Sequence, residues 1–214
     1  MEKHPAFKAR YFLPVKTILV LLVIFATTAL VASSFKNINR PEFFVSAEND
    51  KDSAVSAKAF MQVYKVLMSP RCMNCHPSGN VPLQGDDSHL HTMSPKRGED
   101  GKGMYAMKCT NCHQPENTPG EHTPPGNPKW QLPPSDMKMV FQGKTARQLA
   151  IQIMDYSKNG HKNKEQLLEH ARDTLVKAGW TMGGGRKPPP IDYNDFLKVW
   201  DTWINKGGYA PGSR

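Results

Sequence analysis

Two short runs of the sequence each combine a cysteine pair with a histidine, and together they contain all four cysteines of the chain. The runs are Cys72-Met-Asn-Cys75-His76 and Cys109-Thr-Asn-Cys112-His113. Two thiols at this spacing can form thioether bonds to the two vinyl groups on one edge of a haem, and the next residue then brings its imidazole to the iron. The spacing therefore predicts two covalently attached c-type haems, with His76 and His113 as the proximal iron ligands.

Three other kinds of site use paired cysteines. The four thiols could form one Cys₄ zinc site, or two disulfides in an exported protein, but both leave the two adjacent histidines unexplained. A redox-active dithiol is the third alternative, and it lacks the βαβ context in which such pairs usually occur.

The ligand on the far side of each iron is usually Met or His, and Met gives the higher reduction potential. Four residues are candidates for this distal position, with His91 the first choice: His91, Met93, His122 and His170. His91 and Met93 lie in a Gly/Pro-rich loop between the motifs. His122 precedes Thr-Pro-Pro-Gly, a stiff segment, and His170 lies at the margin of an apolar helix face. The alternative for each histidine is a solvated or hydrogen-bonded side chain.

The residues before each motif favour helix. Apolar residues recur at helical spacing ahead of the first motif, at Val55, Ala59, Val63 and Val66 or Leu67. The pattern predicts a helix from Ser53, as its N-cap, to about Met68, with Pro70 as the stop. A short helix is also expected over residues 103–108, just ahead of the second motif.

The segment after the second motif begins as a loop, because residues 114–135 contain seven prolines. Three helices are then predicted: one capped by Thr145, one over residues 164–178 ending at Gly179, and one from near Asp192 to before Gly207. No segment alternates as a strand would. The expected fold is mostly α, with long ordered loops around the haems. The tryptophans should pack on haem edges or on each other; they are Trp130, Trp180, Trp200 and Trp203.

The N-terminus has the layout of an export signal. Basic residues up to Lys16 are followed by an uncharged apolar run over residues 17–32. Residues 1–33 are therefore expected to be a signal peptide or an uncleaved membrane anchor, with 34–52 as a tether and 53–210 as a single dihaem domain. This layout places the domain in the periplasm or an equivalent extracytoplasmic space, and an uncleaved segment would associate it with the inner membrane.

The net charge of the chain is +9. Residues 1–16 contribute four basic side chains against one acidic one, so the rest of the chain is moderately basic. Such a charge suits an acidic redox partner or an anionic membrane surface, and equally a solubilising surface. No Lys/Arg stripe or nucleic-acid-binding motif is present, so nucleic acid is not an expected partner.

The two motifs resemble those of dihaem cytochromes c, over about residues 53–140. The first cysteines are 37 residues apart, too close for two tandem cytochrome domains, so the haems should share one core. A wider pattern over residues 70–206 resembles small cytochrome-like proteins labelled as isoquinoline 1-oxidoreductase subunits. The matching segments are Pro82-Leu-Gln-Gly85, Arg97-Gly98-x-Asp100-Gly101-x-Gly103, His122-Thr-Pro-Pro-Gly126 and Trp130-x-Leu-Pro-Pro134.

This resemblance implies cytochrome c-like helices and electron transfer beside a molybdenum hydroxylase. The chain is too short for a molybdopterin domain, so it would be an electron acceptor and not the hydroxylase itself. We therefore expect a carrier that relays electrons between a periplasmic or membrane dehydrogenase and the respiratory chain. The alternatives are a small dihaem peroxidase-like enzyme and a haem-based sensor or ligand-binding module.

Overall fold

The structure, a computed structural model, describes residues 47–212, with side chains from residue 50 onward. The export or anchor segment and most of the tether lie outside the described residues. Among the residues that are described, no helix is both long and apolar enough to cross a membrane. All of them belong to one compact unit.

Helix α1 spans Ala47–Leu67 and is the longest helix in the described part of the chain. It starts earlier than expected, so the end of the proposed tether is helical. Ser53 lies inside the helix, where its hydroxyl donates to the carbonyl oxygen of Asp50, and it is not the N-cap. The expected apolar stripe is confirmed at Ala59, Val63, Val66 and Leu67, which are all buried. It differs at Val55, which is 45% exposed, while Phe60, outside the stripe, is fully buried.

The first motif begins on a short helix, α2, that spans Pro70–Met73. Pro70 stops α1 as expected and at the same time opens α2, because proline suits the first turn of a helix, where its missing N–H has no partner to lose. The chain then forms two small antiparallel hairpins: β1 (Leu83–Gln84) with β2 (His89–Leu90), and β3 (Gly103–Met104) with β4 (Met107–Lys108).

The helix expected over residues 103–108 is the second of these hairpins. Gly103 has φ +91° and Tyr105 has φ +49°, values that a right-handed helix does not contain. A Cβ at Gly103 would collide with the carbonyl oxygen of Met107, so the hairpin needs glycine there. Four strand residues are too few to alternate visibly, which is why the pattern was missed.

The C-terminal half is helical after a Pro-rich loop. Helix α3 (Ala146–Met154) carries a full capping box between Thr145 and Gln148, and so begins where expected. It is followed by α4 (Lys164–His170), α5 (Thr174–Lys177), a 3₁₀ turn (Ala178–Trp180) and α6 (Tyr193–Asn205). The fold is thus helix-rich with little sheet.

The single helix expected over residues 164–178 is broken after His170. Asp173 occupies the N-cap position of α5 and binds the ring of His170 through its side chain. Aspartate favours a helix start over a helix interior, because its carboxylate competes for local backbone donors. Because the apolar stripe continues across this break, the sequence pattern predicts one uninterrupted helix.

The core lies between α1 and α6, and α3 and α4 close it. Phe60 of α1 packs on Trp203 of α6 with ring centroids 4.4 Å apart, and Trp203 also contacts Trp200 at 5.2 Å. Leu149 and Leu167 bring α3 and α4 into the same cluster. The core reaches the first motif through Phe141, which stacks on His76, whereas the residues of the second motif do not belong to the core cluster.

Candidate functional site

The first motif is held by short-range backbone bonds. Cys72 N–H donates to Ser69 O at 3.1 Å, and His76 N–H donates to Met73 O at 3.0 Å. Cys72 therefore lies on α2, while Cys75 and His76 lie in the turn that follows it. The helical turn brings the two thiols to the same side of the chain, and the histidine comes immediately after them.

His76 is fixed on two sides by a segment more than sixty residues away. Its Nδ1 lies 2.7 Å from the carbonyl oxygen of Met139, and its ring stacks on Phe141 with centroids 3.9 Å apart and planes 6° apart. The backbone carbonyl of His76 in turn accepts from the N–H of Phe141 at 2.9 Å. Residues 139–141 therefore set both the position and the orientation of this imidazole.

The second motif repeats this arrangement with different residues. Its cysteines frame a 3₁₀ turn, Cys109–Asn111. The Nδ1 atom of His113 lies 2.7 Å from the carbonyl oxygen of Pro125, and the ring stacks on Trp130 with centroids 4.1 Å apart and planes 8° apart. Each motif histidine thus has one backbone acceptor and one parallel aromatic ring, both from a loop that follows its motif.

The carbonyl acceptor of each motif histidine decides which of its two ring nitrogens carries the hydrogen. A carbonyl oxygen can only accept, so Nδ1 of His76 and of His113 must carry the hydrogen, and Nε2 keeps its lone pair. Burial lowers the pKa of His76 to about 4 and also lowers the pKa of His113, so both rings are neutral at pH 7. A neutral imidazole whose second nitrogen is held by a backbone carbonyl is the form that ligates metals.

The four cysteines are free thiols. Burial raises the pKa of Cys72 to about 12 and that of Cys75 to about 11, while Cys112 of the second motif is exposed. Cys109 contributes to the raised pKa of Cys75, so the two motifs are electrostatic neighbours. Over residues 47–212 no three or more Cys, His, Asp or Glu side chains gather as a metal site, so the Cys₄ cluster of the zinc alternative is not assembled there.

Two buried arginines lie beside the first motif. Arg97 is 1% exposed and donates to the backbone carbonyls of Pro133 (2.6 Å) and Gly79 (3.4 Å), while its Nε has no partner. Its charge acts on the first motif, where it contributes to lowering the pKa of both Cys75 and His76.

Arg71 is the second buried arginine, and it pairs with Asp86 and with the carbonyl of Gly85; its Nε also has no partner. A haem carries two propionate carboxylates, and guanidinium groups are well suited to bind carboxylates. The unsatisfied donors of Arg71 and Arg97, together with the protonation of the two histidines, therefore fit a carboxylate-bearing haem beside the motifs.

The four candidate distal residues occupy different surroundings. His91 lies near the second motif, with its ring centroid 6.1 Å from that of His113. Met93, in contrast, is 76% exposed. His122 is exposed at φ +56°, and its ring covers Gly185, where a Cβ would meet its Nε2. His170 binds Asp173 through Nδ1 at 2.9 Å and contributes to the lowered pKa of His76, so it lies on the side of the first motif.

The sequence interpretation missed the residues that hold the motif histidines. Phe141 and Met139 were not singled out for this role, and Trp130 was expected only to pack on a haem edge or another aromatic ring. A signal was available for the second motif, where the acceptor Pro125 lies in a Pro-rich loop, since proline lacks an N–H and leaves a rigid carbonyl free to accept. Searches against protein-family models, curated proteins and solved structures gave no significant match to this chain.

Proposed function

We propose that this chain is an electron-transfer protein that carries two covalently bound c-type haems outside the cytoplasm. The observation that carries the proposal is the repeated environment of His76 and His113. Each follows a Cys-x-x-Cys pair, each donates from Nδ1 to a backbone carbonyl, and each stacks on an aromatic ring. Two unrelated loop sequences produce the same imidazole geometry, which favours one shared chemical role.

A bound haem supplies an iron that alternates between the ferrous and ferric states. The residues of the chain determine how this happens. Cys72 and Cys75 would anchor one porphyrin edge, and Met139 O would orient the imidazole of His76. The hydrogen bond from Nδ1 increases the basicity of Nε2, and therefore strengthens the bond to a metal ion and favours the ferric state.

The second site differs from the first in exposure. His76 is packed against the core residue Phe141, whereas Cys112 and the neighbouring Tyr105 are exposed, Tyr105 by 87%. We infer that the haem at the second motif is the one that exchanges electrons with partner proteins, because its edge would lie nearer to the surface. The partners we propose are a periplasmic or membrane dehydrogenase, of which a molybdenum hydroxylase is one example, and a respiratory acceptor.

A spectroelectrochemical titration of the purified exported protein tests this function. We expect two reversible one-electron transitions, rapid oxidation of the reduced protein by a soluble high-potential cytochrome, and no sustained consumption of hydrogen peroxide in the presence of a reductant. Peroxide turnover at enzymatic rates would instead establish the peroxidase alternative. Ready binding of carbon monoxide by both native ferrous haems would favour a ligand-binding module.

A further inference from the structure

We propose that His91 is the distal axial ligand of the iron held by His113, so that the second haem is ligated by two histidines. This inference rests on the proposed function, since it requires a haem at the second motif. It selects one residue among the candidates and assigns it to one of the two sites.

The separation of the two rings carries the inference. The centroids of His91 and His113 lie 6.1 Å apart. Two imidazoles bound to opposite faces of one metal ion have centroids roughly 6 Å apart, because each metal–nitrogen bond is about 2 Å long. The rings are thus neither in van der Waals contact nor out of reach of a common iron. Their planes are inclined by 68°, which is compatible with ligation of one ion.

His91 also has the hydrogen-bond arrangement that ligation needs. Its Nδ1 lies 2.7 Å from the carbonyl oxygen of Thr92, which can only accept, so Nδ1 is the donor and Nε2 is the nitrogen left for a metal ion. This is the same state that Met139 and Pro125 impose on the two motif histidines.

The backbone of His91 is held in place by the first motif. Leu83 N–H donates to the carbonyl of Asn74, inside the first Cys-x-x-Cys pair, and His91 N–H donates to Pro82 O at 3.0 Å. The side-chain oxygen of Gln84 accepts from the N–H of Thr92 at 3.1 Å. The β1–β2 hairpin is therefore anchored on one motif, while His91, the residue after β2, lies near the other, which links the two sites mechanically.

The other candidates are less suited to this iron. Met93 follows two residues later but is 76% exposed at φ +64°, so its sulfur lies in solvent. His122 packs on the Gly185 backbone. His170 acts electrostatically on His76 and is held by Asp173, so it belongs to the surroundings of the first motif. His122 and Met93 are therefore matched control positions.

The test is His91→Ala in the full exported protein, with the electron paramagnetic resonance and electronic spectra of the ferric state as readouts. We expect one of the two haems to change from low-spin to high-spin, and added imidazole to restore the low-spin signal by filling the vacated position. Met93→Ala and His122→Ala should leave both haems unchanged. Because imidazole rescue reports on a folded site, a merely misfolded variant would not reproduce it.

The identity of the affected haem is tested with Cys109→Ser/Cys112→Ser, which should retain only the first haem. In that background His91→Ala should leave the remaining ferric spectrum unaltered; a low-spin to high-spin change there would assign His91 to the first iron and overturn the pairing. An unchanged spectrum in His91→Ala with both haems attached would also overturn it, while leaving the proposed function intact. Absence of covalent haem from the unmodified protein would instead defeat the proposed function.

Discussion

The Nδ1 atom of His76 lies 2.7 Å from the carbonyl oxygen of Met139, a residue 63 positions further along the chain. His113 has the equivalent bond to Pro125, only 12 positions away. The segment between His76 and Met139 contains the whole of the second motif. The imidazole of His76 is therefore oriented only once that segment has folded. The second bond is local and needs no such closure. The two sites should therefore respond differently to changes in the core.

Phe141 is the residue that holds the long-range acceptor segment. It is 6% exposed, belongs to the core cluster and stacks on His76. We expect Phe141→Ala to lower the free energy of unfolding by about 3–5 kcal/mol, because a buried phenylalanine is replaced by a cavity. It should also broaden the low-spin signal of the first haem and spare the second. Chemical denaturation and electron paramagnetic resonance measure these effects.

The exposed aromatic Tyr156, which contacts only the ring of His161 among aromatic partners in the described part of the chain, provides the control. Tyr156→Ala should change the free energy of unfolding by less than about 0.5 kcal/mol and leave both spectra unaltered. If Phe141→Ala disturbed the second haem as strongly as the first, the assignment of Phe141 to the His76 site would be wrong.

Trp130 should be the corresponding residue for the second site alone. Its ring stacks on His113 at 4.1 Å, and it is only partly buried. We expect Trp130→Ala to lower the free energy of unfolding by about 0.5–1.5 kcal/mol, because the stacked pair is lost. It should also shift the reduction potential of one haem, because His113 gains rotational freedom. Trp130→Phe keeps a stacked ring and should restore most of the native potential. Equal shifts with Ala and Phe would show that stacking is not what Trp130 contributes.

Arg97 places a buried positive charge near the first motif. Arg97→Gln should lower the reduction potential of one haem, because the cation favours the more electron-rich ferrous state. It should also lower the free energy of unfolding by about 3 kcal/mol, since the charged hydrogen bonds to Pro133 and Gly79 are lost. Arg97→Lys keeps the positive charge, so the reduction potential should stay near its native value. The free energy of unfolding should still fall, because lysine does not reproduce the hydrogen bonds of the guanidinium group.

The exposed Arg147, which donates to the carbonyl of Pro211, is a control for general charge effects. Arg147→Gln should leave both potentials close to their native values. If the reduction potentials of Arg97→Gln equal those of the native protein, the charge of Arg97 does not influence either iron.

Ser56 connects α1 to the end of α6 and the residues after it. Its hydroxyl donates to Trp203 O at 2.8 Å and accepts from Tyr209 N–H at 2.9 Å, and the side chain is fully buried. Ser56→Ala leaves Tyr209 N–H without this acceptor and removes one of the two bonds to Trp203 O, which also accepts from Gly208 N–H. We therefore expect a loss of about 1–3 kcal/mol in the free energy of unfolding. Ser53→Ala removes an exposed bond on the same helix and should cost far less; similar losses for both would refute a specific role for Ser56.

The sequence was most informative where one local rule governed the outcome. The N-cap at Thr145, the stop at Pro70 and the C-terminal helix after Asp192 were foreseen because each depends on residues a few positions apart. The hairpin at 103–108 and the break before Thr174 were missed because the backbone geometry at Gly103 and the start of a new helix at Asp173, its N-cap residue, override the apolar pattern.

The residues of the candidate site likewise divide into those that the sequence pattern predicts and those that it does not. The six motif residues could be named from their spacing alone, because the chemistry of haem attachment fixes that spacing. Phe141, Met139 and Arg97 could not, because their relation to His76 arises from folding over long sequence distances. The proximity of His91 to His113 likewise depends on a hairpin that the sequence pattern did not reveal.

The most direct test of the central claim is the intact mass of the exported protein under denaturing conditions, together with its reduced spectrum after denaturation in alkaline pyridine. We expect a mass increase equal to two haems and a covalent haem chromophore that survives acid–organic extraction. Cys72→Ser/Cys75→Ser should reduce the increase to one haem. A chain that carries no covalent haem, and whose cysteines form disulfides or bind zinc instead, would contradict the account.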